Sequence, residues 1–362
     1  MKKILFLLLT AGFLQPLTAQ QTMKSVKTAE THKLSADVAT DVEDRNNNFY
    51  DNAPTYHLPL SNLTVEGEIE NPGPVDFSKL TKRSVIVKET LFKDGGSDQF
   101  TGAFRYDGYS LFDILNERYL KKLNAEDFKP IIDLFVVIEN DKGERAVFSW
   151  GEIYYPNVLH DIIIATDVLR IVPSKTNDLW VLPKESKVVS AHDLITERNI
   201  SSPTNIVVIS YPRKYEIRRD LSPMVNETVN FFSGETHLQS FTEIPPEFRQ
   251  EILHTIFYGR GRGIHSTQPF TGVPVRDYVK NSIKPTRETL RNGMVVFAGM
   301  DGYRAVFSLS EIMNRNDQAQ VLIVPCPGEK DGGNFRIFPP ADFFSDRAVK
   351  ALCEIRIEVL KP

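Results

Sequence analysis

GERAVFSWGEI (143–153) and GYRAVFSLSEI (302–312) agree at eight of eleven positions. A stretch met twice means that the chain repeats itself, and a repeat decides the architecture before any other signal does. Outward from this pair the match continues. An apolar strand precedes each one, LFVVIEN (134–140) and MVVFAGM (294–300). Further upstream YDGYSLFDIL (106–115) lies over FTGVPVRDYV (270–279), and TLF (90–92) over TIF (255–257). Downstream KVVSAHDLITERNISSPTNIVVI (187–209) lies over RIFPPADFFSDRAVKALCEIRI (336–357), sharing Asp193 with Asp342 and Arg198 with Arg347. Blocks matched in one order make a tandem duplication, with copies at about 57–211 and 212–362. A period of that length is a duplicated domain, not a solenoid.

Each copy reads as mixed α and β, rich in β. VDFSKL and SVIVKETLF carry the β-branched and aromatic residues of strands. SLFDILNERYLKKL and PVRDYVKNSI place apolar residues at helical spacing. DRAVKALCEIRIEVL reads as a helical turn running into a strand.

The chain has 362 residues, 41% of them hydrophobic, enough to build the cores of two ordinary domains. Its net charge of −4, with no long basic run, argues against nucleic acid, which needs a concentrated positive footprint. Lys2 and Lys3, an apolar run from Ile4 to Leu14 and the small end at Thr18-Ala19 read as a secretory signal peptide over 1–20, too short to span a membrane. No cysteine stands near the cleavage point and no twin arginine precedes the run, so the expectation is general export to the periplasm or exterior without a lipid anchor. Residues 21–56 are polar and read as a disordered tether. No second apolar stretch is long enough for a membrane span. Cys326 and Cys353 are the only cysteines. One disulfide is open to them in an oxidising compartment, and two separate buried thiols is the favoured reading.

Taken together, LTVEGEIENPGPVDFSKL, GYSLFDIL or GVPVRDYV, and the G-x-R-A-V-F-S-x-x-E-I block resemble the molybdopterin-binding domain of the sulfite oxidase family. GVPVRDYV is similar to that family's G-x-P-L-x-D-x-L signature, and FRIFPPADFFSDRAVKALCEIRIEV to its closing segment. The resemblance covers both copies. It implies an α+β fold of two tandem sulfite-oxidase-like domains, packed about a pseudo-twofold axis. It also implies molybdopterin as a cofactor and a cysteine thiolate on molybdenum, about a dozen residues before the signature glycine. Here those places hold Gly96 before Gly108 and Arg260 before Gly272. Neither neighbourhood has a cysteine, and a soft thiolate is what fixes such a metal. The copies therefore read as degenerate, with no cofactor expected.

The candidate site is the loop FYGRGRGIHSTQPFTGVP (257–274). Gly259, Gly261 and Gly263 can turn successive amides toward an anion. Arg260 and Arg262 bring bidentate charge. His265 behind them is a ligand contact or an exposed loop histidine, while His254, in the apolar run EILHTIF, reads as a satisfied core residue. Arg336 takes the place that Lys187 has in copy one, and the resemblance makes it a contact for the anionic groups of a cofactor. The glycine-rich CPGEKDGGNFR (326–336) reads as a loop over the same pocket. Asp94 and Asp98 lack the spacing of a calcium loop. The shared Arg145/Arg304, Glu152/Glu311, Asp193/Asp342 and Arg198/Arg347 read as scaffold, at helix starts and strand-edge ion pairs. The function that follows is non-catalytic binding of an anionic small molecule or a protein partner by copy two. A molybdopterin oxidoreductase and a cell-surface assembly component stand as the alternatives.

Overall fold

A computed structural model describes residues 49–360 except 61, 96 and 330. The signal peptide read at 1–20, and the tether up to residue 48, lie outside the described residues. The last tether residues join the fold: Thr55–His57 pairs antiparallel with Ile162–Arg170.

Strands dominate. The first sheet orders Thr55–His57, Ile162–Arg170, Gln99–Ser110 and Lys82–Leu91, with Lys187–Ser190 also on Ile162–Arg170. The second orders Gly73–Pro74, Thr64–Gly67, Pro203–Ser210, Leu134–Asn140 and Arg145–Ser149. The third orders Thr236–Phe241, Val229–Ser233, Leu352–Val359, Gly293–Gly299 and Arg304–Ser308. The fourth orders Glu251–Leu253, Phe270–Pro274, Leu322–Pro325 and Phe335–Phe338. A ribbon of Phe257–Gly259 and Gly263–Ser266 stands apart from them. The α+β pair of sulfite-oxidase-like domains is thus corrected. What forms is a β-rich, four-sheet, propeller-like arrangement with few helices, none among the described residues longer than eight. The second and third sheets share one plan that no simple meander gives, since each holds one parallel pair. Pro203–Ser210 runs parallel to Thr64–Gly67, and Leu352–Val359 to Val229–Ser233.

PVRDYVKNSI forms the helix Val275–Ser282, whereas the first helix signal is cut short for a tertiary reason. The helix that starts at Leu111 stops at Asn116, although SLFDILNERYLKKL keeps helical spacing to Leu123. Leu120 instead bridges to Ile69, and Arg118 donates to the carbonyls of Asn71 and Pro74 at 2.6 and 2.8 Å. Sheet-edge pairing outcompetes the weak propensity of one more turn. VDFSKL is a single 3-10 turn, Phe77–Lys79, rather than a strand.

The opening repeat is now legible. RAVFS is a strand in both copies, and the serine that ends it caps the next helix. Ser149 Oγ accepts from the Glu152 amide, Glu152 accepts from the Ser149 amide, and Ser308 and Glu311 do the same. The strands before them are apolar on both faces because both faces are covered. Val136 and Ile138 enter copy one's own core, while Phe135 and Val137 pack with Met294, Val296 and Val306 of copy two. Each such side chain contributes about 1.5–3 kcal/mol on burial, so the seam between the copies is itself a core.

Candidate functional site

Two polar clusters stand out, and only one of them is open. The closed one lies on the seam. Arg198 Nη2 pairs with Asp193 at 2.6 Å, and its Nη1 with Glu152 at 2.9 Å. Arg347 Nη2 pairs with Asp342 at 2.6 Å and Glu311 at 2.8 Å. Of the shared residues, the Glu152, Glu311, Asp193, Asp342, Arg198 and Arg347 side chains are buried in this cluster and Arg304 reaches Asp133 of copy one at 3.0 Å, whereas Arg145 keeps a part-exposed cross-strand pair with Glu139 at 2.8 Å. Burial raises the pKa of both glutamates. At Glu152 the Arg198 and His192 charges prevail and bring it down to about 2. Glu311 has no histidine beside it and feels the Glu152 charge, so burial wins there and its pKa is raised.

The open cluster is in copy two. A cavity of about 590 Å³ opens between the fourth sheet, the ribbon and the turn after Cys326. Arg336 rises from the strand Phe335–Phe338 into its wall. The side chain is only 8% exposed. Its guanidinium lies 5.2 Å from the ring centre of Phe257 and 5.6 Å from that of Phe270. Nη1 stands 3.6 Å from a Glu329 carboxylate oxygen, an ion pair longer than a hydrogen bond. Nε is buried with no hydrogen-bond partner among the described residues. A buried charge whose donors are unfilled is costly to keep, and two aromatic rings lie close to the guanidinium. What is left free is the donor edge, the part that grips an oxyanion bidentately. His265 and the exposed Lys350 line the same cavity.

Copy one shows what is missing. Lys187, at the matched place, donates to Glu89 at 2.6 Å and stands 5.7 Å from the ring centre of Tyr106. Tyr106 Oη and Asn199 Nδ2 donate to the same carboxylate at 3.1 and 3.2 Å. The YDGYSLFDIL/FTGVPVRDYV match sets Phe270 at the place of Tyr106. Copy two therefore keeps the cation and the ring beneath it but lacks the hydrogen-bonded carboxylate.

Of the residues singled out in the sequence, Arg336 and His265 come together on this cavity. The glycine/arginine loop behaves differently. Gly259 and Gly263 pair across the ribbon, with Gly261 at its open tip and Gly263 in the left-handed region at φ 71°. A β-carbon on Gly259 would come within 2.3 Å of His265 Nε2, so this glycine makes room for the histidine. Arg260 turns from the cavity and bonds Asp346 through Nε and Nη2 at 3.1 and 2.7 Å. Arg262 is exposed. His254 is exposed too, correcting the core reading: Glu251–Leu253 is a short edge strand and the chain leaves it at this residue. Asp94 pairs with Lys284 at 2.9 Å. Phe257, Glu329 and Lys350 were not singled out. The rings carried only an apolar signal, and Lys350 none at all.

A molybdenum centre does not suit this donor set. The cavity offers one histidine and one carboxylate. Cys326 nearby is a free thiol that burial pushes up to about 11, far from a thiolate at neutral pH. Cys353 is free as well. Among the described residues no group of three or more His, Cys, Asp or Glu could hold a metal ion, and no helix is long and apolar enough to cross a membrane.

No family model matches the chain, and no curated protein does. Among solved structures it is similar to the sulfane dehydrogenase SoxCD from Paracoccus pantotrophus, at 11% identity and a TM-score of 0.27, over 84% of this chain and 80% of that one. A likeness of that size carries no argument about fold or chemistry.

Proposed function

We propose that this is an exported binding protein that holds an anionic small molecule in the copy-two cavity. One observation carries the reading: Arg336 is buried against two phenyl rings with Nε unbonded, on a cavity of small-molecule size. His265 and Lys350 add donors at the same wall. Export rests on Lys2, Lys3 and the apolar run that follows them.

The test is the native mass of protein purified from its own compartment without added ligand. An extra small-molecule mass, kept by Arg262→Ala and lost in Arg336→Gln, is the expected result. If no extra mass is found, and small anions added at millimolar concentration do not bind, the cavity is not a ligand site. The reading then gives way to a protein partner.

A further inference from the structure

The charges in the cavity say more than that an anion fits. Arg336 is not alone there: the Glu329 carboxylate stands 3.6 Å from its Nη1, at the cavity wall and half exposed. The turn that carries Glu329 is built to put it there. The Glu329 amide donates to the Cys326 carbonyl at 3.3 Å, and the Gly332 amide to the Glu329 carbonyl at 3.2 Å. A β-carbon on Gly332 would lie 2.9 Å from Glu329 Oε2, so a glycine there leaves space for the carboxylate to fold back. The cavity thus presents the Arg336 guanidinium and the Glu329 carboxylate side by side, with the exposed Lys350 also in its lining. Beyond them the lining is mixed: Phe257, Phe270, Val324 and Ala348 form an apolar patch beside Ser266, Gln268, Thr271 and Ser345.

A phosphate or sulfate dianion is poorly matched to this pair. It would satisfy Arg336 but face the Glu329 charge at close range. It would also leave most of a 590 Å³ cavity empty. A ligand that carries both charges fits better. The carboxylate and ammonium of an α-amino acid share one carbon and lie ~3 Å apart, the spacing of the two side chains that would receive them. With the carboxylate on the free edge of Arg336, the ammonium reaches Glu329 and an apolar side chain reaches the phenyl rings.

Resting on the anion-binding reading above, we infer that the ligand is an amino-acid-type zwitterion with a large apolar side chain. Arg336 takes its carboxylate and Glu329 its ammonium. Calorimetric titration of the full chain with L-phenylalanine, 3-phenylpropionate and inorganic phosphate tests this. The expected order is L-phenylalanine tightest, with 3-phenylpropionate, which lacks the ammonium, at least tenfold weaker and phosphate weaker still. Glu329→Gln removes the difference between the first two, and Arg336→Gln abolishes binding of both. Glu329 is half exposed, so its variant keeps the fold, which circular dichroism checks. Should 3-phenylpropionate or phosphate bind as tightly as L-phenylalanine, in an Arg336-dependent way, the zwitterion inference is overturned while the anion reading stands. Binding of none of the three, alongside an extra native mass that depends on Arg336, overturns it in the same way. No binding and no native mass removes both.

Discussion

Arg347 Nη1 donates to Ser149 Oγ at 3.0 Å, across 198 residues of chain. Ser149 belongs to the helix cap of copy one and Arg347 to the closing block of copy two. The reciprocal bond also forms, from Arg198 Nη1 to Ser308 Oγ at 3.1 Å. Each copy thus fills the cap serine of the other, and Ser149 Oγ donates on to Glu311 at 2.5 Å. Such reciprocity is what a pseudo-twofold contact requires. Removing one member strands a buried charge. Arg347→Ala is expected to cost about 3–5 kcal/mol, read from chemical denaturation, with loss of one cooperative transition for the whole folded region as the accompanying sign.

A gentler probe of the same seam is Gly151→Ala. In a helix, alanine ordinarily gains about 0.8–1.0 kcal/mol over glycine. Here a β-carbon would fall 2.2 Å from Arg347 Nε and Cζ. The guanidinium has no room to move without leaving Glu311 and Asp342, so steric loss outweighs propensity. The expected sign is destabilisation, measured by thermal melting, and a gain in stability would show that Arg347 is not held as described.

The seam also sets an acid limb. Glu152 titrates at about 2 because Arg198 and His192 overcome the burial that raises it. In the unfolded chain a glutamate titrates near ~4.3. The folded state therefore holds fewer protons on this group between those values. Its stabilisation is present above the unfolded pKa and is lost as pH falls toward 2. The raised pKa of Glu311 acts in the opposite sense, releasing strain once its carboxylate is protonated. Glu152→Gln is expected to be less stable than the native chain at pH 7 and to flatten the fall below pH 4.5, as denaturant midpoints against pH would report.

Arg260 and Asp346 fasten the ribbon that walls the cavity. The arginine side chain is 49% exposed, so the pair is worth at most about 1 kcal/mol. Arg260→Ala is expected to leave the melting temperature nearly unchanged while amide exchange over 257–266 rises. Unchanged exchange there would mean that the contacts of Tyr258 with Phe343 and Phe344 hold the ribbon unaided.

Arg336 gives the opposite relation between stability and binding. Replacing this buried, incompletely bonded charge by an apolar side chain removes a desolvation cost and leaves its carboxylate neighbour Glu329, which is half exposed, to water. Arg336→Met is expected to raise the denaturation midpoint and to abolish anion binding together. Lys187→Met in copy one is expected to destabilise, because it strands Glu89, which accepts from three donors.

By itself the sequence determined what is local. RAVFS-x-x-E forms a strand and a capped helix in both copies, because β-branched and aromatic residues favour the strand and its last serine makes the capping box with the glutamate three residues on. The duplication was legible the same way, from blocks that could be laid over one another, whereas Arg336 was singled out through a family resemblance and His265 by its place behind the glycine/arginine loop. The four-sheet arrangement was not legible. Whether Leu120 continues a helix or bridges to Ile69 depends on a partner 51 positions away, and periodicity does not encode that choice. The site had the same limit. Arg260 and Arg336 look alike on paper. Only the tertiary structure gives the first a carboxylate at 2.7 Å and leaves the second buried with an unbonded Nε. Their neighbours, Asp346 for one and Phe257, Phe270 and Glu329 for the other, come from separate segments, and the free energy of a buried charge is set by those neighbours rather than by the residue itself.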